Sequence, residues 1–466
     1  MNAIIVSALL GVVMMFSGIL LENKSTLKYI AIGGLLLLLV ANLFQTYGVY
    51  TVVVNSHDLL SFQKFGLFFN SIAITATLIY ILLSGKDIEN AGNYPAEYFA
   101  LIFFVLCGVS ILCGYNSLLM LFLGIEILSI PLYILTGADK RNLKSNEASL
   151  KYFLMGAFTA GIMLMGIALI YGATGSFGII SPSLSAVAPA GAAAGPKASF
   201  LEIAGVLLLF VAMSFKVSAA PFHFWTPDVY DGAPSVFTSF MATIVKVAGF
   251  FAFIRLLEGQ SAILGPTWKI LLSFVIISTL LIGNITAVFQ QSVKRMLAYS
   301  SIAQAGFMLF ALYTTNDIAK EGILLYAAAY SLATIGIFAV LIKMKDYTLD
   351  GFNGLAKTQP VIALTTTICL LSLSGIPLTA GFFAKYYMLA AVIQTGTGLW
   401  LVIVAVLFAA VSVYYYFRVI QSMYFKEGQA ETSEISAGFK VGLILVAVLI
   451  VLIGVQPSLL LNYFYF

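Results

Sequence analysis

Long apolar runs, separated by short polar or Gly/Pro-rich clusters, dominate the hydrophobic pattern of the chain. A helix that crosses a bilayer needs about 20 mostly apolar residues, and the chain holds about fourteen such runs. They cover residues 3–21, 29–51, 60–84, 97–115, 117–136, 148–172, 201–221, 234–258, 267–290, 296–314, 320–343, 360–378, 399–424 and 439–461. Two runs continue past an interruption, as Phe222–Asp231 and Ala380–Gln394. The pattern predicts an all-α polytopic membrane protein with two discontinuous helices.

Composition supports the membrane assignment. Hydrophobic residues make up 61% of the chain, charged residues only 9%, and the mean hydropathy is +1.04. A soluble domain carries roughly 25% charged residues. The formal net charge of +4 is small, and a nucleic-acid partner is not expected.

The few cysteines and histidines do not form a metal or redox motif. Cys107, Cys113 and Cys369 lie in apolar runs without C-x-x-C spacing, so we interpret them as packing residues. The chain has only two histidines, His57 and His223, which argues against a metal site. No cofactor is expected in this chain.

The lysines and arginines predict how the chain is oriented. With the N-terminus outside, fifteen basic residues fall at the inner face: Lys24, Lys28, Lys86, Lys140, Arg141, Lys144, Lys151, Lys294, Arg295, Lys343, Lys345, Lys357, Arg418, Lys426 and Lys440. Five fall outside: Lys64, Lys197, Arg255, Lys269 and Lys320. The positive-inside rule therefore predicts that both termini lie at the outer face.

The polar segments predict loops rather than further domains. The first run lacks a basic n-region and an A-x-A site, so we expect a retained span and not a signal peptide. Thr174–Ser199, rich in small residues and proline, predicts a flexible outer loop, and Lys426–Ala437 predicts an inner loop. The two glycine-rich nucleotide-binding motifs, G-x-G-x-x-G and G-x-x-x-x-G-K-[ST], do not occur in the sequence.

A faint internal symmetry relates the two interrupted spans. Pro221 and Pro377 each follow a run that ends in small and polar residues, with Lys216 or Lys385 close by. The interruptions lie five spans apart, which predicts two inverted repeats and places the ion sites at the breaks. The predicted divisions are 1–95 (three helices), 96–258 and 259–425 (five-helix repeats), and 426–466 (inner loop and last helix).

Charged residues inside spans are the candidate chemical groups, because each costs roughly 2.5–3.5 kcal/mol at the centre of a membrane helix. Glu126 lies near the middle of the fifth run and Lys216 near the end of the seventh. They could form a structural ion pair or a coupling pair. In the coupling hypothesis, moving the carboxylate away makes the buried lysine release its proton.

Two more lysines lie within spans. Lys246 has no acidic residue nearby in its run and is either an intermediate proton carrier or a snorkelling lysine. Lys385 follows Gly375, Pro377 and Gly381, which should interrupt helical bonding, and would be the terminal donor towards the outer face.

Other candidates are less specific. His223 could carry protons or be a satisfied structural group, and Trp225 and Asp228 beside it are equally ambiguous. Gln304, Tyr326 and Tyr330 could line a hydrated path, although core packing explains them as well.

Four segments carry a resemblance to a known family: Phe215–Pro234, Val245–Ala248, Val293–Gly306 and Ser374–Lys385. In order and in residue content they resemble the antiporter-like membrane subunits of respiratory complex I, the proton-pumping NADH:quinone oxidoreductase. The resemblance spans roughly Ala96–Phe425 and is greatest to the subunit N (subunit 2) members, since a lysine stands at position 385.

The resemblance implies fourteen helices, two inverted five-helix repeats and broken seventh and twelfth helices. It also implies proton-transfer roles for Glu126, Lys216, Lys246 and Lys385. NADH, FMN, iron–sulfur clusters and quinone would be held by partner subunits. The expected neighbours are an antiporter-like subunit M, small membrane-arm subunits and lipid, in a bacterial inner (plasma) membrane.

Two residues depart from the family pattern. Members often carry a histidine where this chain has Gln304, so that residue is not expected to titrate. Many have a second proline at the place of Leu378, so the second break could have a different shape here.

Three functional hypotheses follow. The leading one is a proton-translocating subunit of NADH:quinone oxidoreductase, part of an enzyme complex but without a redox centre of its own. The others are a subunit of a multi-subunit cation/proton antiporter and a purely structural membrane subunit.

Overall fold

A computed structural model describes residues 1–21, 24–180, 199–264 and 267–462, without the side chains of residues 261 and 262. Within these ranges the regular structure is helical, and β-pairing is limited to isolated bridges such as Leu60 with Tyr115. A helix satisfies every backbone group internally, which is what apolar surroundings require. The predicted all-α membrane fold is confirmed.

The first six helices precede the segment 181–198, which lies outside the described residues. They are α1 Asn2–Leu20, α2 Leu27–Thr46, α3 Lys64–Asn90, α4 Pro95–Leu112, α5 Leu118–Thr136 and α6 Leu143–Thr174. A short 3-10 turn, Lys24–Thr26, precedes α2.

The next group of helices lies between residues 181–198 and residues 265–266, both of which are outside the described residues. It contains α7 Phe200–Lys216, α8 Trp225–Gly232, α9 Ser235–Phe240 and α10 Lys246–Leu264. The π-helical turn Met241–Val245 joins α9 to α10 without a break, so Ser235–Gln260 forms one candidate span.

The remaining helices complete the described chain. They are α11 Thr267–Val288, α12 Val293–Met308, α13 Phe310–Thr314, α14 Asp317–Lys343, α15 Leu355–Thr358, α16 Pro360–Ser374, α17 Ala380–Gln394, α18 Leu399–Phe425, α19 Ala437–Val455 and α20 Ser458–Leu461. A 3-10 turn, Asp350–Phe352, lies between α14 and α15.

Among the described residues, twelve helices are long and apolar enough to cross a membrane. The predicted runs at 201–221 and 360–378 correspond instead to the shorter helices α7 and α16, each of which is followed by an interruption. The multi-pass architecture is established, while the count of about fourteen spans and the inverted repeats stay predictions.

The most deeply buried spans are Ser235–Gln260, Val293–Thr314 and Asp317–Lys343. The apolar stretch of α14 is buried over its whole length, whereas α1, α2, α18 and α19 bury only a minor part of their surfaces. The α14 helix packs on α17, α16 and α3. Residues on α12 and α14 are therefore enclosed by protein and not by lipid.

The first interruption separates α7 from α8. Ser218 adopts a left-handed conformation (φ +63°), and its hydroxyl accepts a 2.7 Å hydrogen bond from Thr226. The Trp225 indole donates to the carbonyl of Phe215 at 3.0 Å, which satisfies a carbonyl near the end of α7. Side chains thus replace the helical hydrogen bonds that the break removes.

The second interruption separates α16 from α17. Gly375 (φ +83°) ends α16, and the exposed Leu378 also has a positive φ of +71°. Proline fixes φ near −65°, so a proline could not adopt the backbone conformation of Leu378. The second break consequently differs in shape from one that contains two prolines.

The polar connections agree with the predicted loops where they are described. Most of the predicted loop Thr174–Ser199, including Lys197, lies outside the described residues. The segment between α18 and α19 is not helical, and Thr432 forms an isolated bridge with Met344.

Candidate functional site

Glu126 lies on α5, an otherwise apolar helix. Its side chain is half-buried, and Oε1 has no hydrogen-bond partner. Ser129 and Tyr133 follow on the same face at helical spacing, and the Tyr133 hydroxyl is also buried without a partner. One side of α5 therefore presents a carboxylate, a hydroxyl and a phenol.

Lys216 is the last residue of α7 and is 9% exposed. Its ammonium donates a 2.9 Å hydrogen bond to Ser129 Oγ, three residues beyond Glu126 on α5. The Glu126 carboxylate is close enough to interact electrostatically with Lys216. The structure thus brings the predicted pair together, but Ser129 and not Glu126 is the direct partner of the lysine.

Lys246 is the first residue after the π-helical turn and is 1% exposed. Its ammonium donates to the carbonyl and the hydroxyl of Ser301 on α12, at 2.7 and 3.0 Å. The side chain is held inside the protein and does not extend to a membrane surface, as a snorkelling lysine would. Single π-helical turns are frequent at functional sites.

Lys385 lies in the second turn of α17 and is 7% exposed. Its ammonium donates to the carbonyls of Leu373 and Ser374, at 2.9 and 3.0 Å. These are the last two residues of α16, where the helix dipole favours a cation. The nitrogen also lies 4.7 Å from the centre of the Phe307 ring.

Gln304 on α12 connects this lysine to two phenols. Its Nε2 donates to the Leu373 carbonyl at 2.8 Å, the same carbonyl that accepts from Lys385. The Tyr416 hydroxyl lies 3.1 Å from Nε2, and the Tyr326 hydroxyl donates to Oε1. Gln304 and Tyr326 are thus part of a hydrogen-bonded network next to Lys385.

Tyr330 occupies the space between the Lys246 and Lys385 sites. It lines a small cavity together with Gln304 and Lys385, and its hydroxyl is close to Ser301. The same hydroxyl is also close to Thr334 on α14.

The three predicted lysines share one chemical property: each donates to hydroxyl or carbonyl oxygens, which are neutral, as does the fourth buried lysine, Lys294. None of their hydrogen bonds goes to a carboxylate, although seven ion pairs occur elsewhere among the described residues. A lysine with neutral partners can lose its proton without leaving a partner carboxylate unpaired.

The residues after the first break have different roles. His223 is 6% exposed, and its Nδ1 has no hydrogen-bond partner. Trp225 closes the break, as described above. Asp228 pairs with Lys151 on α6 and with Arg295 on α12, the latter at 3.0 Å. Asp228 therefore tethers α8 to α6 and α12.

The described part of the chain contains no group of three or more histidine, cysteine, aspartate or glutamate residues that could hold a metal ion. The three cysteines are buried and free.

Ser129, Ser301 and Tyr416, which directly contact the predicted residues, were not predicted from the sequence. Ser301 lies in the conspicuous polar segment Val293–Gly306, which could have suggested it. Ser129 and Tyr416 have no comparable signal, since single hydroxyl residues are common in membrane helices.

The fold and the site define a polytopic helical membrane protein with buried charged side chains at discontinuous helices, the arrangement of ion-translocating membrane proteins. The chain belongs to the NADH:quinone oxidoreductase/Mrp antiporter transmembrane family, whose model matches residues 115–412. This confirms the resemblance stated above.

One curated relative and two solved structures illustrate the similarity. NADH-quinone oxidoreductase subunit N of Cytophaga hutchinsonii is 40% identical, over 99% of both chains. A chain of respiratory complex I from Thermus thermophilus is 31% identical with a TM-score of 0.83, covering 99% of this chain and 98% of that one. A chain of the Mrp complex from a Dietzia species shares the fold, with a TM-score of 0.85 at 18% identity, covering 99% of this chain and 96% of that one.

Proposed function

We propose that this chain is a proton-translocating membrane-arm subunit of an NADH:quinone oxidoreductase, driven by quinone reduction in partner subunits. Membership of the family and the 40% identical subunit N of Cytophaga hutchinsonii support the assignment. The observation that carries it is that the three lysines predicted inside the spans are buried with neutral hydrogen-bond partners, two of them at helix interruptions.

Protons would be taken up from the basic inner face and pass Lys216 and Lys246. They would leave outward by Lys385, and Glu126 would set the proton affinity of Lys216. Moving one proton against the membrane potential requires about 2.3 kcal/mol per 100 mV. Separating a charge pair near 4 Å changes the interaction energy by up to about 4 kcal/mol at an effective dielectric constant of 20. The two energies are of the same order.

The finer architecture is part of the same proposal. About fourteen spans arise when each interrupted helix is counted with its continuation, and 96–258 and 259–425 would be the inverted repeats. Both termini would lie at the outer face of a bacterial inner membrane. Partner subunits, among them an antiporter-like subunit M and small membrane-arm subunits, would hold NADH, FMN, iron–sulfur clusters and quinone.

The structural hypothesis explains the lysines less well. A purely structural charge is usually paired, because an unpaired ion in a low-dielectric interior is costly. Ion pairs form near helix ends, as between Lys343 and Asp87 and between Lys151 and Asp228. The three predicted lysines, which lie deeper in the spans, form no ion pair.

The cation/proton antiporter hypothesis has one observation in its favour, the shared fold with the Dietzia Mrp complex. It predicts sodium-dependent proton flux in vesicles without NADH or quinone. A complex that moves protons only during NADH oxidation, at a rate unaffected by sodium, contradicts it.

The decisive experiment is proton pumping in sealed vesicles by the intact complex that carries Lys216→Ala. NADH oxidation and the amount of assembled complex are recorded on the same preparation, and exposed Lys357→Ala is the matched control. We expect lost pumping at normal assembly for Lys216→Ala alone. Unchanged pumping would refute the proposal, and lost assembly with normal pumping per complex would favour the structural hypothesis.

A further inference from the structure

An elongated apolar groove lies between the helix pair α2 and α3 and the helix pair α14 and α19. Its volume is about 340 Å³, and none of its described lining residues is charged. Among these residues, hydroxyl groups occur only at Tyr47, Ser71, Thr75 and Ser331. Cavities with apolar walls stay free of water. The lining therefore favours an apolar occupant.

The groove runs along the helices and not across them. On α3 its wall extends from Phe68 to Ile79, which is about 16 Å along the helix axis. The hydrocarbon core of a bilayer is about 30 Å thick, so one leaflet contributes about 15 Å. The groove thus has the length of a hydrocarbon chain in one leaflet.

All the walls of the groove lie in the same half of the spans. They include the end of α2, the first halves of α3 and α14, and the last half of α19. The opposite ends of these four helices carry lysines that we assign to the basic inner face: Lys28, Lys86, Lys343 and Lys440. The groove therefore belongs to the leaflet remote from that face.

The floor of the groove is α14, and one side of the groove is open. Leu324, Ala328 and Leu332, one turn apart on α14, are 3%, 7% and 7% exposed. Thr75, on the α3 wall, is exposed. Because the exposed surface of a membrane span faces lipid, a hydrocarbon chain can enter the groove from the side.

Two other kinds of occupant fit the groove less well. A transmembrane helix of a neighbouring subunit is about 10 Å wide, so a 16 Å length of it takes up about 1,250 Å³, which exceeds the cavity. A hydrophilic ligand would lose most of its hydrogen bonds to water against these walls. A single hydrocarbon chain meets both limits. Tyr47, 55% exposed at the end of α2, suits the headgroup level, where tyrosine is enriched.

We propose that this groove binds one acyl chain of a phospholipid from the leaflet remote from the basic inner face. The headgroup would lie near Tyr47, and the methyl end of the chain near Ile79 and Leu332. The chain would support the side of α14 that faces away from Tyr326 and Tyr330. This inference is independent of proton translocation, because it requires only that the helices span a bilayer.

The test uses the intact complex in vesicles that contain phosphatidylethanolamine with a photoactivatable diazirine in one acyl chain. After illumination, peptide mass spectrometry maps the labelled residues. A diazirine near the ester should label Phe68, and one near the methyl end should label Ile79 and Leu332. Phe158, near the middle of α6 and 73% exposed, reports contact with the general bilayer. Labelling of Leu332 that is no stronger than that of Phe158 refutes the proposal.

Two tryptophan variants make the test specific to the groove. Thr75→Trp places an indole in the open side of the groove, whereas Ala410→Trp adds the same ring to the exposed surface of α18. We expect Thr75→Trp to abolish the labelling of Leu332 and to leave that of Phe158 unchanged. Ala410→Trp should leave both unchanged. Equal labelling of Leu332 in the two variants contradicts the proposal.

A deeper variant keeps the proposal testable if Thr75→Trp assembles poorly. Ala328→Phe fills the groove from its floor and should also abolish the labelling of Leu332. An excess of unlabelled phosphatidylethanolamine should displace the probe, whereas displacement only by a long-chain quinone would contradict a phospholipid as the occupant. Pumping is not part of these measurements, so their failure leaves the proposed function untouched.

Discussion

Replacing Gly375 by alanine should disturb Lys385 without changing any charged residue. Gly375 ends α16 with φ +83°, and a Cβ added there would lie 2.9 Å from Cδ of Lys385. Attractive carbon–carbon contacts lie at about 3.5–4.0 Å, so the lysine side chain must shift by about 0.6 Å or more. The ammonium is held by the carbonyls of Leu373 and Ser374, at 2.9 and 3.0 Å.

The expected magnitude follows from those two hydrogen bonds. A shift of this size stretches at least one of them beyond useful length, and a hydrogen bond to a charged group contributes about 1.5–3 kcal/mol. If this stabilisation acts on the ammonium during transfer, pumping falls by about 10- to 100-fold, since about 1.4 kcal/mol corresponds to tenfold in rate. The left-handed backbone costs a further 1–2 kcal/mol or so of stability in any residue with a Cβ.

Gly396→Ala is the matched control, because it carries the backbone penalty alone. Gly396 has φ +65°, and a Cβ there would meet nothing within 4 Å. Both variants should lower the thermal stability of the complex by a similar amount. Only Gly375→Ala should lower proton pumping per assembled complex, measured in sealed vesicles together with NADH oxidation.

Two results would refute this reasoning. Undiminished pumping by Gly375→Ala, after correction for assembly, would show that the position of Lys385 does not limit transfer. An equal loss of pumping in both variants would show that backbone strain, and not the contact with the lysine, causes the effect.

Two further predictions concern stability and the network beside Lys385. Asp87→Ala should lower the unfolding free energy by about 3 kcal/mol, because it leaves the Lys343 ammonium, 2.6 Å away and mostly buried, without its partner. Glu431→Ala, which opens an exposed pair, should change it by less than about 1 kcal/mol, and equal thermal shifts would contradict the argument. Tyr416→Phe removes a hydroxyl 3.1 Å from Gln304 and should slow pumping severalfold at unchanged assembly; unchanged pumping would exclude Tyr416 from the route.

Much of the architecture was predictable because membrane helices leave a strong local signal. About 20 consecutive apolar residues are needed to cross a bilayer, and the predicted runs at 117–136 and 320–343 correspond closely to α5 and α14. The two interruptions were also predictable, because the glycines and prolines that break helical hydrogen bonding are visible in the sequence. The left-handed Leu378 was not, because no local rule favours leucine at positive φ.

The site was predictable only in its charged members. A lysine in an apolar run is conspicuous by itself, whereas its hydrogen-bond partner is defined by tertiary packing. Ser129 lies 87 residues before Lys216 in the chain, and Ser301 lies 55 residues after Lys246. No pattern within a single helix distinguishes these serines from those that bind their own backbone. The π-helical turn before Lys246 likewise has no proline or glycine to announce it.

Lys216 donates its hydrogen bond to Ser129 and not to Glu126, which has an energetic consequence for the proposed coupling. A direct buried ion pair is costly to break, by about 3–5 kcal/mol when one partner is lost. Charges that are not in direct contact interact more weakly: at an effective dielectric constant of 20, the attraction is about 4 kcal/mol at 4 Å and about 2.4 kcal/mol at 7 Å. The difference of about 2 kcal/mol is close to the work of moving one proton against 100 mV. If Glu126 sets the proton affinity of Lys216 as we propose, a small displacement of α5 against α7 would be sufficient to bind or release a proton at Lys216, and no ion pair would have to be broken in each cycle.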